Sequence, residues 1–418
     1  MNCSRGPTLS RWACFIAAVL LVLAGCGGGG GGGGSSTPSS PSPPASAASN
    51  VLPIVVDGGP AAYTAGPYVN GAYVSVKICT PGSTTCQTID HVLLDTGSTG
   101  LRIMSSVITS PVLTQQNIGA SPLAECVQFA DGSYIWGPVK AADVILGGEP
   151  AVASLAIQVI GDPGFTSVPK SCSSGGGQAQ SSVALFGANG ILGLSAFQQD
   201  CGLACAQAPV AATYYSCAGT CTSVAVGTSS QVQNPVGLLV SDNNGMLIQL
   251  PVIGAAGAAT ANGSLILGIG TQSNNALVNL QGGAVVALGL DPNYGTLTTA
   301  YKTKSYSSSF FDSGSNGIFF PDATIPVCSS GFYCPPSTLS LTATNQGTNG
   351  NSSSVNFSVA NANTLQANTS LVAFSNLAGS SLGSPSFDWG LPFYYGRNVF
   401  TAIEGRGTPG GSGPYVAY

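Results

Sequence analysis

Two stretches of this sequence place a carboxylate where hydrolytic chemistry can use it. Residues 91–101 read His-Val-Leu-Leu-Asp-Thr-Gly-Ser-Thr-Gly-Leu, and the pattern returns at 310–318 as Phe-Phe-Asp-Ser-Gly-Ser-Asn-Gly-Ile. Each copy is an apolar run, then Asp, a hydroxyl residue, Gly and Ser, then X-Gly-apolar. A single Asp-Thr-Gly is what a strand end entering any tight turn can carry. Two copies, one in each half of the chain, predict a duplicated architecture that brings Asp95 and Asp312 together across a pseudo-twofold axis as a paired-carboxylate site.

Other hydrolytic chemistries fit poorly. His91 is the single histidine, so a Ser-His-Asp arrangement has to pass through it, and no Gly-x-Ser-x-Gly sits beside it in the sequence. It reads as a satisfied or solvent-facing strand histidine. A histidine-based metal centre is excluded by count. Asp131, Asp143 and Asp388 read as turn or hydrogen-bonding residues.

The elements that must position the two aspartates are β-strands. Tyr73-Val-Ser-Val-Lys-Ile alternates, Thr80-Pro-Gly-Ser turns, and Ile89–Leu94 leads into Asp95, so a hairpin delivers this residue to a loop. Residues 129–137, Phe-Ala-Asp-Gly-Ser-Tyr-Ile-Trp-Gly, lie between strand-like segments and predict a hairpin with a Gly-containing tip free to move. Asn189-Gly-Ile-Leu-Gly-Leu194 reads as a strand whose glycines let backbones pass closely; its counterpart is Phe387-Asp-Trp-Gly-Leu-Pro-Phe393. Residues 238–250 and 263–269 read as strands that leave the first lobe and start the second. Edge strands and long loops are expected over 339–376, and a strand pair over 394–403.

At 418 residues the chain is long enough for two lobes with real cores. Charged residues are 6% against about 25% in an average soluble protein, so solubility rests on Ser, Thr, Asn, Gln and Gly. Arg5 and Arg11 precede the apolar run 15–23, and Leu23-Ala-Gly-Cys26 resembles a bacterial lipobox. Residues 1–25 are therefore expected to be a signal peptide and Cys26 the lipidated residue. Gly27 after it favours the outer membrane. Loss of that segment leaves 8 Lys+Arg against 15 Asp+Glu, a net charge of about −7, which argues against a nucleic-acid partner. Residues 26–50, rich in Gly, Ser and Pro, predict a tether, with lobes over 51–245 and 246–418. Ten cysteines remain beyond Cys26, an even number that suits an oxidising compartment. Cys79 with Cys86, Cys126 with Cys172 and Cys328 with Cys334 are candidate pairs, and Cys201, Cys205, Cys217 and Cys221 read as a nested hairpin, 201 to 221 and 205 to 217, with a zinc site as the minor competing reading in an oxidising compartment.

Taken together, the order of these landmarks over 68–404 resembles the pepsin-like aspartic peptidases. The resemblance implies a mostly β, two-lobed acid protease fold with the cleft between pseudo-twofold barrel lobes. It implies an aspartic endopeptidase that needs no cofactor, works as a monomer and takes an extended peptide or protein substrate. In that family the carboxylates share a proton, so that one oxygen acts as general base on water while the protonated partner polarises the scissile carbonyl. By resemblance, Thr96 and Ser313 brace the two loops, Gly97 and Gly314 let backbone amides reach the carboxylates, and Ser98 and Ser315 orient them. Phe129, Asp131, Gly132, Ser133, Tyr134 and Trp136 form the substrate-binding flap. Two positions depart from the family: Phe129 falls where a flap tyrosine usually lies, and Arg102 where a tryptophan usually bonds it. Tyr134 or Trp136 is the available substitute, and Arg102 reads as a solvated strand-end charge or as a cation beside Asp95. Residues 27–50 hold no cation to cap an acidic cleft as a prosegment would. The alternative is a non-catalytic cleft that binds a peptide, glycan or envelope partner.

Overall fold

A computed structural model describes residues 48–380 and 386–418. The signal segment, Cys26 and the tether up to residue 47 lie outside the described residues. The fold is mostly β. Among the described residues the longest helix, Gly202–Gln207, has 6 residues, and none is long and apolar enough to cross a membrane.

Alternation decides the first half. In Val51–Asp57, Leu52, Ile54 and Val56 are buried and their neighbours are not. This strand pairs antiparallel with both Gly71–Cys79 and Ala261–Leu267, so it joins sequence from both halves in one sheet. Gly71–Cys79 and Cys86–Asp95 form a hairpin closed by the Cys79–Cys86 disulfide. The longest strand, Tyr134–Ile145, pairs with Ser121–Gln128 on one side and Val152–Ile160 on the other.

A repeated device positions the two aspartates. Gly190–Leu194 runs parallel to Cys86–Asp95 and antiparallel to Thr99–Met104, with Gly193 opposite Asp95. In the second half Asp388–Trp389 runs parallel to Lys304–Phe311 and antiparallel to Ile318–Phe319. Each half thus threads a strand between the arm entering the Asp loop and the arm leaving it, and the pseudo-twofold expected from the repeated motif is present in the topology. Gly245–Gln249 pairs with Ala261–Leu267 and with Asn398–Ala402 across the base.

The core of the second half is aromatic. Phe311, Phe320, Phe357, Phe387, Trp389 and Phe393 are buried together, with ring centroids as close as 4.8 Å for Phe320–Phe387 and 4.9 Å for Phe311–Phe393. Such packing fixes the strand that ends at Phe311, one residue before Asp312.

Three local readings change. Residues 394–403 are not a strand pair: Leu391–Tyr394 is a short helix with Pro392 in its first turn, where proline's fixed φ suits a helix start, and only Asn398–Ala402 is extended. Within 339–376 the expected edge strand is present as Ser352–Val359, but it pairs along its full length with Leu339–Gln346 as a hairpin and is followed by the helix Ala362–Gln366, in place of the expected long loops. The cysteine cluster is not nested. Cys201 bonds Cys205 and Cys217 bonds Cys221. Cys201 caps the helix that contains Cys205, which puts the two about one turn apart with Cα atoms at 5.6 Å. Cys217 and Cys221 face each other across the hairpin Tyr214–Ala218/Thr220–Ser223 with Cα atoms at 4.1 Å. Both pairs therefore close locally before a long-range partner is needed.

Candidate active site

Asp95 ends one strand, Asp312 follows another, and each carboxylate is held by its own loop in the same way. Asp95 Oδ1 accepts from the Gly97 amide at 2.7 Å and Oδ2 from Ser98 Oγ at 2.5 Å. Asp312 Oδ1 accepts from the Gly314 amide at 2.8 Å and Oδ2 from Ser315 Oγ at 2.8 Å.

The loops are laced to one another. The Thr96 amide donates to Ser313 Oγ at 3.1 Å and the Ser313 amide donates to Thr96 Oγ1 at 3.0 Å. Each hydroxyl in turn donates to a carbonyl of the opposite strand, Thr96 to Phe311 and Ser313 to Leu94. With its proton committed, Thr96 Oγ1 accepts from the Tyr394 hydroxyl at 2.8 Å. Glycine is required between them for space: a Cβ on Gly97 would lie 2.7 Å from Asp312 Cγ, and one on Gly314 would lie 2.9 Å from Asp95 Cγ. Each carboxyl therefore sits against the backbone of the other loop.

Burial raises the Asp312 carboxyl well above the usual range, and the like charges of Asp95 and Asp388 and a hydrogen bond shared with Asp95 add to this, against the opposing hydrogen bond from Ser315. The Asp312 carboxyl thus keeps its proton to higher pH than an isolated aspartate does.

The two carboxyls lie in a cleft of about 1010 Å³ lined from both halves. Phe129, Asp131 and Ser133 line it from the 129–133 turn, whereas Gly132, Tyr134 and Trp136 do not. Strand alternation explains the difference for the aromatics: Tyr134 and Trp136 share the face opposite Ser133. Trp136 Nε1 donates to the Phe165 carbonyl at 2.8 Å and its ring packs edge-on to Tyr215. Neither aromatic replaces a flap tyrosine. The turn is also tied down rather than free, because Asp131 Oδ1 accepts from the Ser133 amide and hydroxyl, the Gly177 amide donates to the Gly132 carbonyl, and Cys126 is bonded to Cys172.

Arg102 is neither solvated nor paired with Asp95. It is 2% exposed, with Nη2 at 2.6 Å from Glu125 Oε1 and 3.3 Å from Asp200 Oδ2, and Nη1 donating to the Thr99 carbonyl at 2.6 Å. Its charge is spent beneath the flap hairpin. Burial and the charge of Glu125 raise the Asp200 carboxyl, to which the Tyr214 hydroxyl donates. His91 lies off the cleft, between Asp57 at 3.1 Å and Asp90 at 3.3 Å, and the bond to Asp57 raises its pKa. Asp143 accepts from the amides of Gly82 and Ser154, as a turn-holding residue does.

Two cleft residues escaped sequence reasoning. Tyr68 lines the cleft with its hydroxyl pushed up to about 12, by burial first and then by the charges of Tyr63, Asp312 and Asp95. Its only sequence signal is a tyrosine after a proline in a Gly-rich stretch. Asp388 also lines the cleft, and its carboxyl is raised to about 8, by burial and by the charge of Asp95 against a hydrogen bond with Ser315. A raised carboxyl means the folded chain binds a proton that the unfolded chain has lost, so this contribution to stability declines as pH rises from about 4 to about 8. Asp388→Asn is accordingly expected to flatten the fall in the denaturation midpoint between pH 5 and 8; an unchanged slope would show that this acid titrates normally.

The fold and site define a class: a two-lobed β protein with a carboxylate pair at the floor of its cleft. The chain itself belongs to the family described as "Protein of unknown function (DUF3443)", whose model matches residues 46–418. A search of curated proteins gives no match. Among solved structures, one similar to this chain is the "Crystal structure of Basic 7S globulin from soybean", at 10% identity and a TM-score of 0.44, over 88% of this chain and 95% of that one.

Proposed function

We propose that the protein is an aspartic endopeptidase that hydrolyses peptide bonds with a water activated between Asp95 and Asp312. The observation that carries this reading is the matched lacing of the two loops, which presses each carboxyl against the glycine of the other. The pair shares one proton between its two carboxyls, and burial with the neighbouring charge of Asp95 raises the Asp312 carboxyl. The ionised partner removes a proton from the water as its oxygen attacks the carbonyl carbon, and the acid partner protonates the carbonyl oxygen. Collapse of the resulting diol returns a proton to the leaving nitrogen, so no covalent enzyme intermediate forms.

An extended peptide suits an open cleft between two halves, with Phe129 and Asp131 above it and the exposed ring of Tyr294 at its edge. Export fits the five disulfides of the described residues, and a lipid anchor on Cys26 rests on the lipobox-like Leu23-Ala-Gly-Cys26 of the sequence. The test is cleavage of a diverse peptide library by the full-length protein from pH 3 to 8. Cut sites that repeat a sequence preference support the reading, and an intact library from folded protein overturns it. Gly97→Ala is expected to cost about 100-fold in rate, because the added methyl must displace the opposing carboxyl by a substantial part of an ångström. A rate within about twofold of wild type would show that the loops are not held as described.

The second reading, a cleft that binds a peptide, glycan or envelope partner without cutting it, is favoured by one observation. The flap turn offers Phe129 and no phenol to the cleft, and it is fixed by Cys126–Cys172 and by residues 175–180. Binding of intact peptides with no turnover would select it.

A further inference from the structure

The two halves are equivalent in position but not in chemistry on either side of the carboxylates. In the first half Ile191 lies opposite Leu93, two residues before Asp95. In the second half Asp388 lies opposite Phe310, two residues before Asp312. Ile191 and Asp388 are therefore pseudo-twofold mates, and both line the cleft. One is a buried aliphatic. The other is an acid whose Oδ1 is buried without a hydrogen-bond partner among the described residues.

An orphaned buried carboxyl oxygen is costly, and an aliphatic residue at its mate shows that the topology does not demand an acid there. The charged and polar groups around Asp388 include Asp95, Asp312, Ser315 and the Tyr394 hydroxyl, with Asn316 and Ser386 also lining the cleft. None supplies positive charge. Among the described residues lining the cleft the one cation is Arg102, already committed to Glu125 and Asp200. A substrate bringing its own cation would meet an acid with one unpartnered oxygen beside two further carboxyls, whereas an amide or hydroxyl would bring no charge to balance them.

We propose that Asp388 makes the subsite beside Asp312 select a substrate side chain bearing a cation, lysine or arginine, while the mate subsite at Ile191 takes an apolar one. The inference rests on the peptidase reading. In the empty cleft Asp388 keeps its proton near neutral pH, since its carboxyl is raised to about 8. Binding the cation displaces that proton to solvent, so selection for Lys or Arg strengthens as pH rises from 6 to 8.

The test compares kcat/KM of the full-length protein on matched peptides carrying Arg, Lys, Gln, Ser or Leu next to the scissile bond, for wild type, Asp388→Asn and Asp388→Ile. Wild type is expected to prefer Arg and Lys over Gln by about tenfold or more, and both variants to bring that ratio within about twofold. An unchanged ratio in the variants, or a wild-type preference for Gln, Ser or Leu, overturns the inference and leaves the peptidase reading standing. If folded wild type cuts none of them, the peptidase reading fails separately, and calorimetry on the uncut peptides decides the inference. Tighter binding of the Arg peptide than of its Gln match, with proton release that Asp388→Asn abolishes, supports it, and equal binding of the two peptides overturns it.

Discussion

Replacing Arg102 by leucine is expected to destabilise the folded protein by about 3–5 kcal/mol, the typical cost of removing one partner from a buried ion pair. Arg102 is 2% and Glu125 1% exposed, so little solvent can replace the lost charge. The substitution strands Glu125 and Asp200 together and removes a donor from the Thr99 carbonyl. Neither carboxylate can then ionise at ordinary cost, and part of the loss appears as proton uptake on folding. Arg102→Lys is expected to recover only part, because one ammonium cannot span two carboxylates and a carbonyl in a guanidinium's fork geometry. Replacing Arg102, Glu125 and Asp200 together by apolar residues of similar volume is expected to lose less than Arg102→Leu alone. Denaturant midpoints at pH 6 order the variants, and a loss below about 1 kcal/mol for Arg102→Leu would mean that the pair is hydrated.

Asp95→Asn and Asp312→Asn are each expected to reduce peptide cleavage by about 10²–10⁴-fold while the fold persists. Asparagine keeps the shape and can still accept from Gly97 or Gly314, so the loops stay laced. What disappears is the proton. The working pair holds one, and because the Asp312 carboxyl is raised, activity is expected to persist above the range of an ordinary aspartate and to fall as pH climbs through the raised value. Asp388 contributes to that rise, so Asp388→Asn should move the alkaline fall to lower pH. Rates on one peptide across pH 3 to 9 measure both effects. A variant that retains more than about a tenth of wild-type activity would remove its aspartate from the mechanism.

The sequence made some of this legible and hid the rest for physical reasons. The two Asp loops were readable because the same local chemistry occurs twice and each copy follows a strand. The strand Gly71–Cys79 was readable because its alternation, with Val74, Val76 and Ile78 buried and Ser75 and Lys77 exposed, is written in the sequence. Arg102 was not, since its partners lie 23 and 98 residues away and only the fold brings them together. Asp388 looked like a turn residue because its meaning lies in register, opposite Phe310, which no local pattern records. The flap's facing depended on the same kind of fact: alternation turns Tyr134 and Trp136 away while Ser133 turns in. The cysteine pairing was decided by a one-turn helix and a tight hairpin, both too short to show a period.

The central claim is that Asp95 and Asp312 form one proton-sharing unit. Carboxyl-carbon titration of the folded protein by NMR, wild type beside Asp95→Asn, tests this without any need for a substrate. Asp312 is predicted to titrate well above the usual aspartate range in wild type and to move down in the variant, stopping short of the ordinary value because burial and Asp388 remain. An Asp312 titration that is ordinary in wild type, or identical in the two proteins, would contradict the account.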